Sequence, residues 1–316
     1  MTVFLKSSLL AYLSLSTLAT PYTQRDSYTG AQFLNGFSFQ AIADPTHGRV
    51  NYVDAQTAAS RNLTFSSADH FVLRADSSTF LSASGPGRNS FRILSNNQYT
   101  TSVMVFNIRH MPQGCGTWPA VWTVGPNWPN EGEIDILEGV NDQGVDQVTL
   151  HTSPGCSMPA SRAQTGISTG NNCDTAATNN AGCGVQVDDG RSFGPSFNQQ
   201  GGGWFAVERT SSFIKVWFWP RTANNVPEDV LHGAGTVETA SWGTPRAFFP
   251  STNCPISSKF GPHNIVINLT FCGDWAGAVY GSSGCPSTCV DFVNNNPSAF
   301  VDAYFDIAWL KVYERK

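Results

Sequence analysis

The chain is poor in charge. Lys and Arg number 18 against 23 Asp and Glu, so charged residues make up 13% of 316 and the formal net charge is −5. A nucleic-acid backbone needs a basic stripe and none is present, which excludes that partner and leaves a neutral polymer as the easier one to accommodate. Apolar residues at a spacing of three and four are also scarce, and with 29 Gly and 18 Pro this argues against a helical architecture. Past the first twenty residues no apolar run is long enough to cross a membrane. There is no internal repeat and no long polar linker. No CxxC occurs, and Cys285 and Cys289 lack a second matching pair, so a zinc site is not expected. The six histidines include no pair at metal-ligand spacing, and neither GxSxG nor a Ser/His/Asp pattern is found. No metal and no cofactor are expected.

What is present describes an exported β protein. Lys6, an apolar stretch from Leu9 to Leu18 and small residues at Thr17 and Ala19 form a secretory signal peptide, assigned to residues 1–19. The polar end from Lys311 to Lys316 offers no lipid-anchor tail. The expected product is a secreted, extracellular monomer with one domain over residues 20–316. Eight cysteines (115, 156, 173, 183, 254, 272, 285 and 289) suit four disulfides in an oxidising compartment. About 105 pairings are open. Asn62 and Asn268 head N-glycosylation sequons, though Asn268 lies in a strand-like run and its side chain can face the interior.

Short strands separated by turn signals run through the chain. They are expected at Phe71 to Arg74, Ser90 to Ile93, Thr100 to Arg109, Gln147 to Thr152, His263 to Phe271 and Ala303 to Tyr313, with a hairpin of Trp204 to Arg209 and Phe213 to Trp219. Residues 153–203 change to Asn, Gly, Ser and Thr with three cysteines, which reads as an ordered, stapled loop region. The architecture implied is a single large sandwich of antiparallel sheets packed face to face.

Against this background the octapeptide from Glu131 to Glu138, EGEIDILE, stands out with four carboxylates. Ile134, Ile136 and Leu137 mark a buried strand, on which Glu133 and Asp135 share one face. Glu138 is then directed into the core, where an unpaired carboxylate costs several kcal/mol or more. A helix scatters the three acids around its axis. A β-bulge of one extra residue between Asp135 and Glu138 would bring all three onto one face. A strand that ends at Glu138, with the side chain in solvent and Gly139 opening a turn, meets the same constraint.

Two carboxylates on one face are the minimum equipment for glycoside hydrolysis, one acting at the anomeric carbon and the other protonating the leaving oxygen. With a bulge, Glu133 and Glu138 stand four rungs apart, on the order of 13 Å at the backbone. Long side chains leaning inward can bridge that to the roughly 5 to 5.5 Å a retaining mechanism needs. Trp118, Trp122 and Trp128 precede the acids, and Trp275 lies in a Gly- and Asp-flanked loop, so indole faces are available for pyranose rings. Trp217 and Trp219 read as core. His151 can hydrogen-bond an acid in the cleft, or can be a satisfied strand histidine.

These residues resemble glycoside hydrolase family 16. Residues 133–138 have its ExDxxE form in the bulged variant, and Gly116 to Trp122 (GTWPAVW) is similar to the family segment just before it. Arg109 to Pro112, Asn268 to Trp275 and Phe305 to Tyr313 follow in the family's order, and the likeness is to secreted fungal laminarinase-type endo-β-glucanases. The resemblance implies a β-jelly roll whose concave face is an open substrate cleft, and hydrolysis of β-1,3-glucan and mixed β-1,3/1,4-glucan with retention. It implies Glu133 as nucleophile, Glu138 as general acid/base and Asp135 as the assisting carboxylate. It further implies Trp122, Trp128 and Trp275 as sugar platforms, with Arg92 and His151 as polar cleft residues. Glu131 carries no catalytic role. A transglycosylase with the same acids and a non-catalytic glucan-binding lectin are the alternatives; only the lectin would survive loss of the acids.

Overall fold

The structure is a computed structural model that describes residues 21–315; the expected signal peptide lies outside the described residues. The first strands are β1 (Tyr22–Tyr28), β2 (Phe37–Phe39), β3 (Val50–Tyr52), β4 (Thr64–Ser66), β5 (Phe71–Arg74), β6 (Arg88–Ser90) and β7 (Arg92–Ser95). The central ones are β8 (Ser102–His110), β9 (Thr117–Val124), β10 (Glu133–Glu138), β11 (Gln147–His151), β12 (Ile167–Ser168) and β13 (Cys183–Gln186). They are followed by β14 (Gly203–Arg209), β15 (Phe213–Pro220), β16 (Thr236–Val237), β17 (Ala247–Pro250), β18 (Asn264–Phe271) and β19 (Tyr304–Glu314). No α-helix among the described residues exceeds the seven residues of Cys289–Asn295, and none is long and apolar enough to cross a membrane.

Two antiparallel sheets form the jelly roll. One has nine strands built along β16-β1-β19-β8-β14-β15-β17, with β4 and β5 attached through β19. The other has eight, in the order β12-β13-β11-β10-β9-β18-β7-β2, and carries the octapeptide strand near its centre. Period-two alternation explains the packing between them. Ile134, Leu137, Val121, Ile265, Ile267 and Leu150 of the eight-stranded sheet meet Met104, Phe106, Ile108, Phe205 and Leu310 of the other in one buried cluster.

The alternation along β8 is imperfect for a structural reason. Val103 and Val105 point to the opposite face of the nine-stranded sheet, where Trp204, Trp217, Trp219 and Trp242 form a second buried cluster. With both faces covered, the strand has no polar side to alternate with. Trp217 and Trp219 are core, as their sequence context indicates.

The structure alters or adds to the expected strands in three places. The strand expected at Ser90 to Ile93 breaks at the buried Phe91, because β6 pairs in parallel with β3 while β7 joins the eight-stranded, acid-bearing sheet, the cleft sheet. That parallel pair is a departure from a wholly antiparallel design. The stapled region holds β12, β13 and a short helix at Gly194–Gln199, and β13 extends the cleft sheet beside β11. β1, which has only Tyr22 and Tyr28 buried, gave no strand signal in the sequence and is held by its pairing with β19.

All eight cysteines are paired: Cys115–Cys285, Cys156–Cys254, Cys173–Cys183 and Cys272–Cys289. Cys285 and Cys289 belong to different bridges. Cys115–Cys285 spans a sequence separation of 170, whereas Cys173–Cys183 spans 10. Because a cross-link removes more freedom from an unfolded chain the longer its loop, replacing Cys115 and Cys285 with Ser should cost about 2–5 kcal/mol, and more than replacing Cys173 and Cys183. Urea unfolding of the two double variants checks this; equal losses would show that loop length does not govern the effect.

Candidate active site

The octapeptide strand is bulged. Against β9, Glu133, Ile134 and Asp135 face Val124, Thr123 and Trp122, and the register then skips to Leu137 opposite Val121 and Glu138 opposite Ala120. Ile136 is the unpaired residue. Ile136 and Leu137 both enter the core, and Glu138 is turned to the face that bears Glu133 and Asp135. The strand does not end in solvent at Glu138. The turn ahead of it depends on Gly132 at φ +76, where a Cβ would stand 2.5 Å from the Phe260 ring.

The three acids differ in surroundings. Asp135 is buried, with Oδ2 3.3 Å from His151 Nε2 on β11, and the same nitrogen lies 4.0 Å from Glu133 Oε1. The Glu133 side chain keeps 17% exposure, enough for a ligand to reach it. Glu138 Oε1 accepts a hydrogen bond from Trp118 Nε1 at 2.9 Å. Burial pushes the Glu133 and Glu138 carboxyls up to about 8, helped by the negative charge of Asp135, and burial raises Asp135 as well. Burial and mutual repulsion therefore oppose ionisation of all three acids at once. Glu133, Asp135 and His151 also present one ligand atom each within 4.8 Å, a grouping a divalent cation could bridge.

Aromatic and amide side chains continue the surface. Trp122 shares a rung with Asp135, and its Nε1 donates to Asn268 Oδ1 at 2.7 Å. Asn268 Nδ2 donates to the Tyr52 hydroxyl, so this sequon asparagine is buried in the cleft, whereas Asn62 is exposed. Arg92 lies over the Trp122 ring at 4.9 Å and donates through Nε to Gln40. Burial lowers its pKa, offset in part by the Glu133 charge.

The remaining expected residues sit at the two ends. Trp128 is 45% exposed in the turn between β9 and β10, at the Glu133 end. Glu131 is in that turn too, where its carboxylate accepts from the Asn127 N–H and its carbonyl from His263 Nε2. Thr123 donates to His263 Nδ1, and burial holds that imidazole down at about 3, so it stays neutral and structural. At the Glu138 end, Trp275 meets Trp118 edge-on at 5.7 Å, and the neighbouring Asp274 pairs with His47 at 3.0 Å.

Trp118 is thus closer to the chemistry than its sequence position alone suggests. Its signal was present, since it stands four residues before Trp122 and shares its face in a strand. Tyr52, Gln40 and Asn268 had none, because they reach the cleft from distant segments.

An eight-stranded sheet presenting buried paired carboxylates beside tryptophan side chains defines a glycoside hydrolase of jelly-roll fold. The chain belongs to the XgeA-like, catalytic GH16 domain family, which it matches over residues 37–313. A laminarinase 16A from Phanerochaete chrysosporium, solved with 6-O-glucosyl-laminaritriose in donor and acceptor sites, is 60% identical, with a TM-score of 0.92 over 93% of this chain and 99% of that one. An elongating family 16 β-1,3-glucosyltransferase is 42% identical, with a TM-score of 0.86 over 92% and 99% of the two chains. The endo-1,3(4)-β-glucanase xgeA of Emericella nidulans is 39% identical over 98% of this chain; the chain spans 50% of that relative's length.

The raised carboxyls have a stability consequence. Between the ordinary carboxylate range and about 8 the unfolded chain has released protons that the folded site retains, so stability falls as pH rises through that window. Thermal unfolding of the ligand-free protein should show a melting temperature that declines from pH 5 towards 8, with a shallower decline in Glu133→Gln. A slope of the opposite sign in that window, or one unchanged by the substitution, would contradict the burial argument.

Proposed function

We propose that this chain is a retaining endo-β-glucanase that hydrolyses β-1,3-glucan of the laminarin type and mixed β-1,3/1,4-glucan. The observation that carries this reading is the bulge at Ile136, which sets Glu133, Asp135 and Glu138 on one face of the cleft sheet. Glu133 attacks the anomeric carbon while Glu138 gives its proton to the departing glycosidic oxygen, leaving a covalent glycosyl-enzyme. Glu138, now ionised, takes a proton from water as that water attacks the same carbon, and Glu133 is released. Asp135 shares a proton with Glu133, and its negative charge when ionised favours the protonated form of Glu138. Trp122, Trp128 and Trp275 are the sugar platforms, with Arg92 and His151 as polar contacts. The catalytic unit is residues 20–316, acting as a monomer outside the cell after loss of residues 1–19. In secreted material Asn62 should carry glycan and the buried Asn268 none, read by peptide mass spectrometry after deglycosylation in ¹⁸O-labelled water; modification at Asn268 would count against the cleft arrangement.

The likeness to an elongating glucosyltransferase makes transfer the second reading, since a sugar hydroxyl can replace water in the second step. Product sizing on laminarin, lichenan and branched β-glucan separates the two. Shortened chains with new reducing ends are expected, and lengthened chains with few new ends would favour transfer. Glu133→Ala should lose at least about 10³-fold in turnover while still binding laminarin, and azide should restore cleavage with an inverted glycosyl azide product. Substantial residual hydrolysis in that variant would refute the nucleophile assignment.

A further inference from the structure

The bulge leaves one side of β10 without a strand partner, and a buried acid occupies the gap. β11 pairs with β10 only through His151, Leu150 and Thr149, opposite Glu133, Ile134 and Asp135. Beyond Asp135 the ladder stops, so no β11 carbonyl serves the Glu138 N–H. Asp146 Oδ1 accepts it at 2.8 Å. Asp146 is 0% exposed, and its Oδ2 has no hydrogen-bond partner among the described residues. A buried acid in such a place costs stability, so folding alone does not account for it.

Asp146 is itself held in place. Its N–H donates to Ser192 Oγ at 3.0 Å and its carbonyl accepts from the Val187 N–H at 2.9 Å. The turn between Glu138 and Asp146 has its own anchors. Asn141 Oδ1 accepts from Gly116 N–H at 2.8 Å, Asn141 Nδ2 donates to the Ala276 carbonyl at 2.9 Å, and Asp142 Oδ1 accepts from Gly114 N–H at 2.7 Å. The turn therefore keeps its course without the Asp146 side chain, and what that side chain adds is the fixed position of Glu138.

We propose that Asp146 is a positioning residue for Glu138, its Oδ1 replacing the missing strand partner so that the bulged end of β10 holds the acid towards the glycosidic oxygen. This rests on the acid/base assignment of Glu138 made above. Displacement of a proton donor by about 1 Å can cost on the order of 10²-fold in rate, and the loss is confined to steps that need the proton.

The test compares kcat/KM for two substrates that share a glycone: a laminari-oligosaccharide, whose leaving sugar must be protonated, and the 2,4-dinitrophenyl β-glycoside of laminaribiose, whose leaving group departs unaided. Asp146→Ala should lose about 10- to 100-fold on the oligosaccharide and less than about threefold on the dinitrophenyl glycoside. Asp146→Asn, which keeps the Oδ1 acceptor, should recover most of the loss. Circular dichroism checks that each variant folds, and Asp146→Ser takes the place of the Ala variant if that one does not. Equal losses on both substrates, no loss on either, or an Asn variant as impaired as the Ala variant would overturn the proposal. Glu138→Gln is the control: if it shows no dependence on the leaving group, the acid/base assignment falls and the inference with it, whereas a dependence in Glu138→Gln alone removes only Asp146.

Discussion

One extra residue in one strand governs this site. An acid-rich strand in the middle of a sandwich faces a conflict, because its apolar residues must enter the core and its carboxylates must stay out of it. Ile136 resolves it by letting two successive side chains, Ile136 and Leu137, point inward, so that Glu138 returns to the outer face. Register matters here more than in an ordinary strand, since a slip of one residue would bury every acid and expose every aliphatic side chain. β9 pairs along almost its whole length with β18, from Asn264–Val124 to Phe271–Thr117, and so supplies an unbroken template for the bulged strand.

The remaining architecture keeps that sheet in place from behind and at its ends. The nine-stranded sheet is buried on both faces, with the interior cluster on one side and the tryptophan cluster on the other, and provides a stiff backing. Cys115–Cys285 and Cys272–Cys289 tie the segments around Gly116 and Trp275, which frame the Glu138 end of the cleft. Cys173–Cys183 braces β13 at the other edge of the same sheet. The disulfides therefore fasten irregular segments to the cleft sheet, where short strands alone give little purchase.

Electrostatics follow from the same geometry. Three carboxyls share a small, partly dry space and the Asp135 charge raises both glutamates, so a proton moved onto one acid alters the others. Trp118 favours the ionised form of Glu138 through its N–H, while burial and the Asp135 charge favour the protonated form.

The sandwich class, most strand positions, the stapled cysteine region and the shared face of Glu133 and Asp135 were legible in the sequence, because period-two alternation is a local property of the chain, while the return of Glu138 to that face was implied by the ExDxxE resemblance. Trp217 and Trp219 could be assigned to the core on burial trends. The disulfide pairing, the break at Phe91, the strand β1 and the approach of Tyr52, Gln40 and Asn268 were decided only by the tertiary fold. So was the position of Asp146, whose Oδ1 accepts the Glu138 N–H where the β11 ladder has stopped. Local alternation selects which face a residue takes, but which distant residue meets it there depends on sheet order and register, and those are set by the packing of the whole chain.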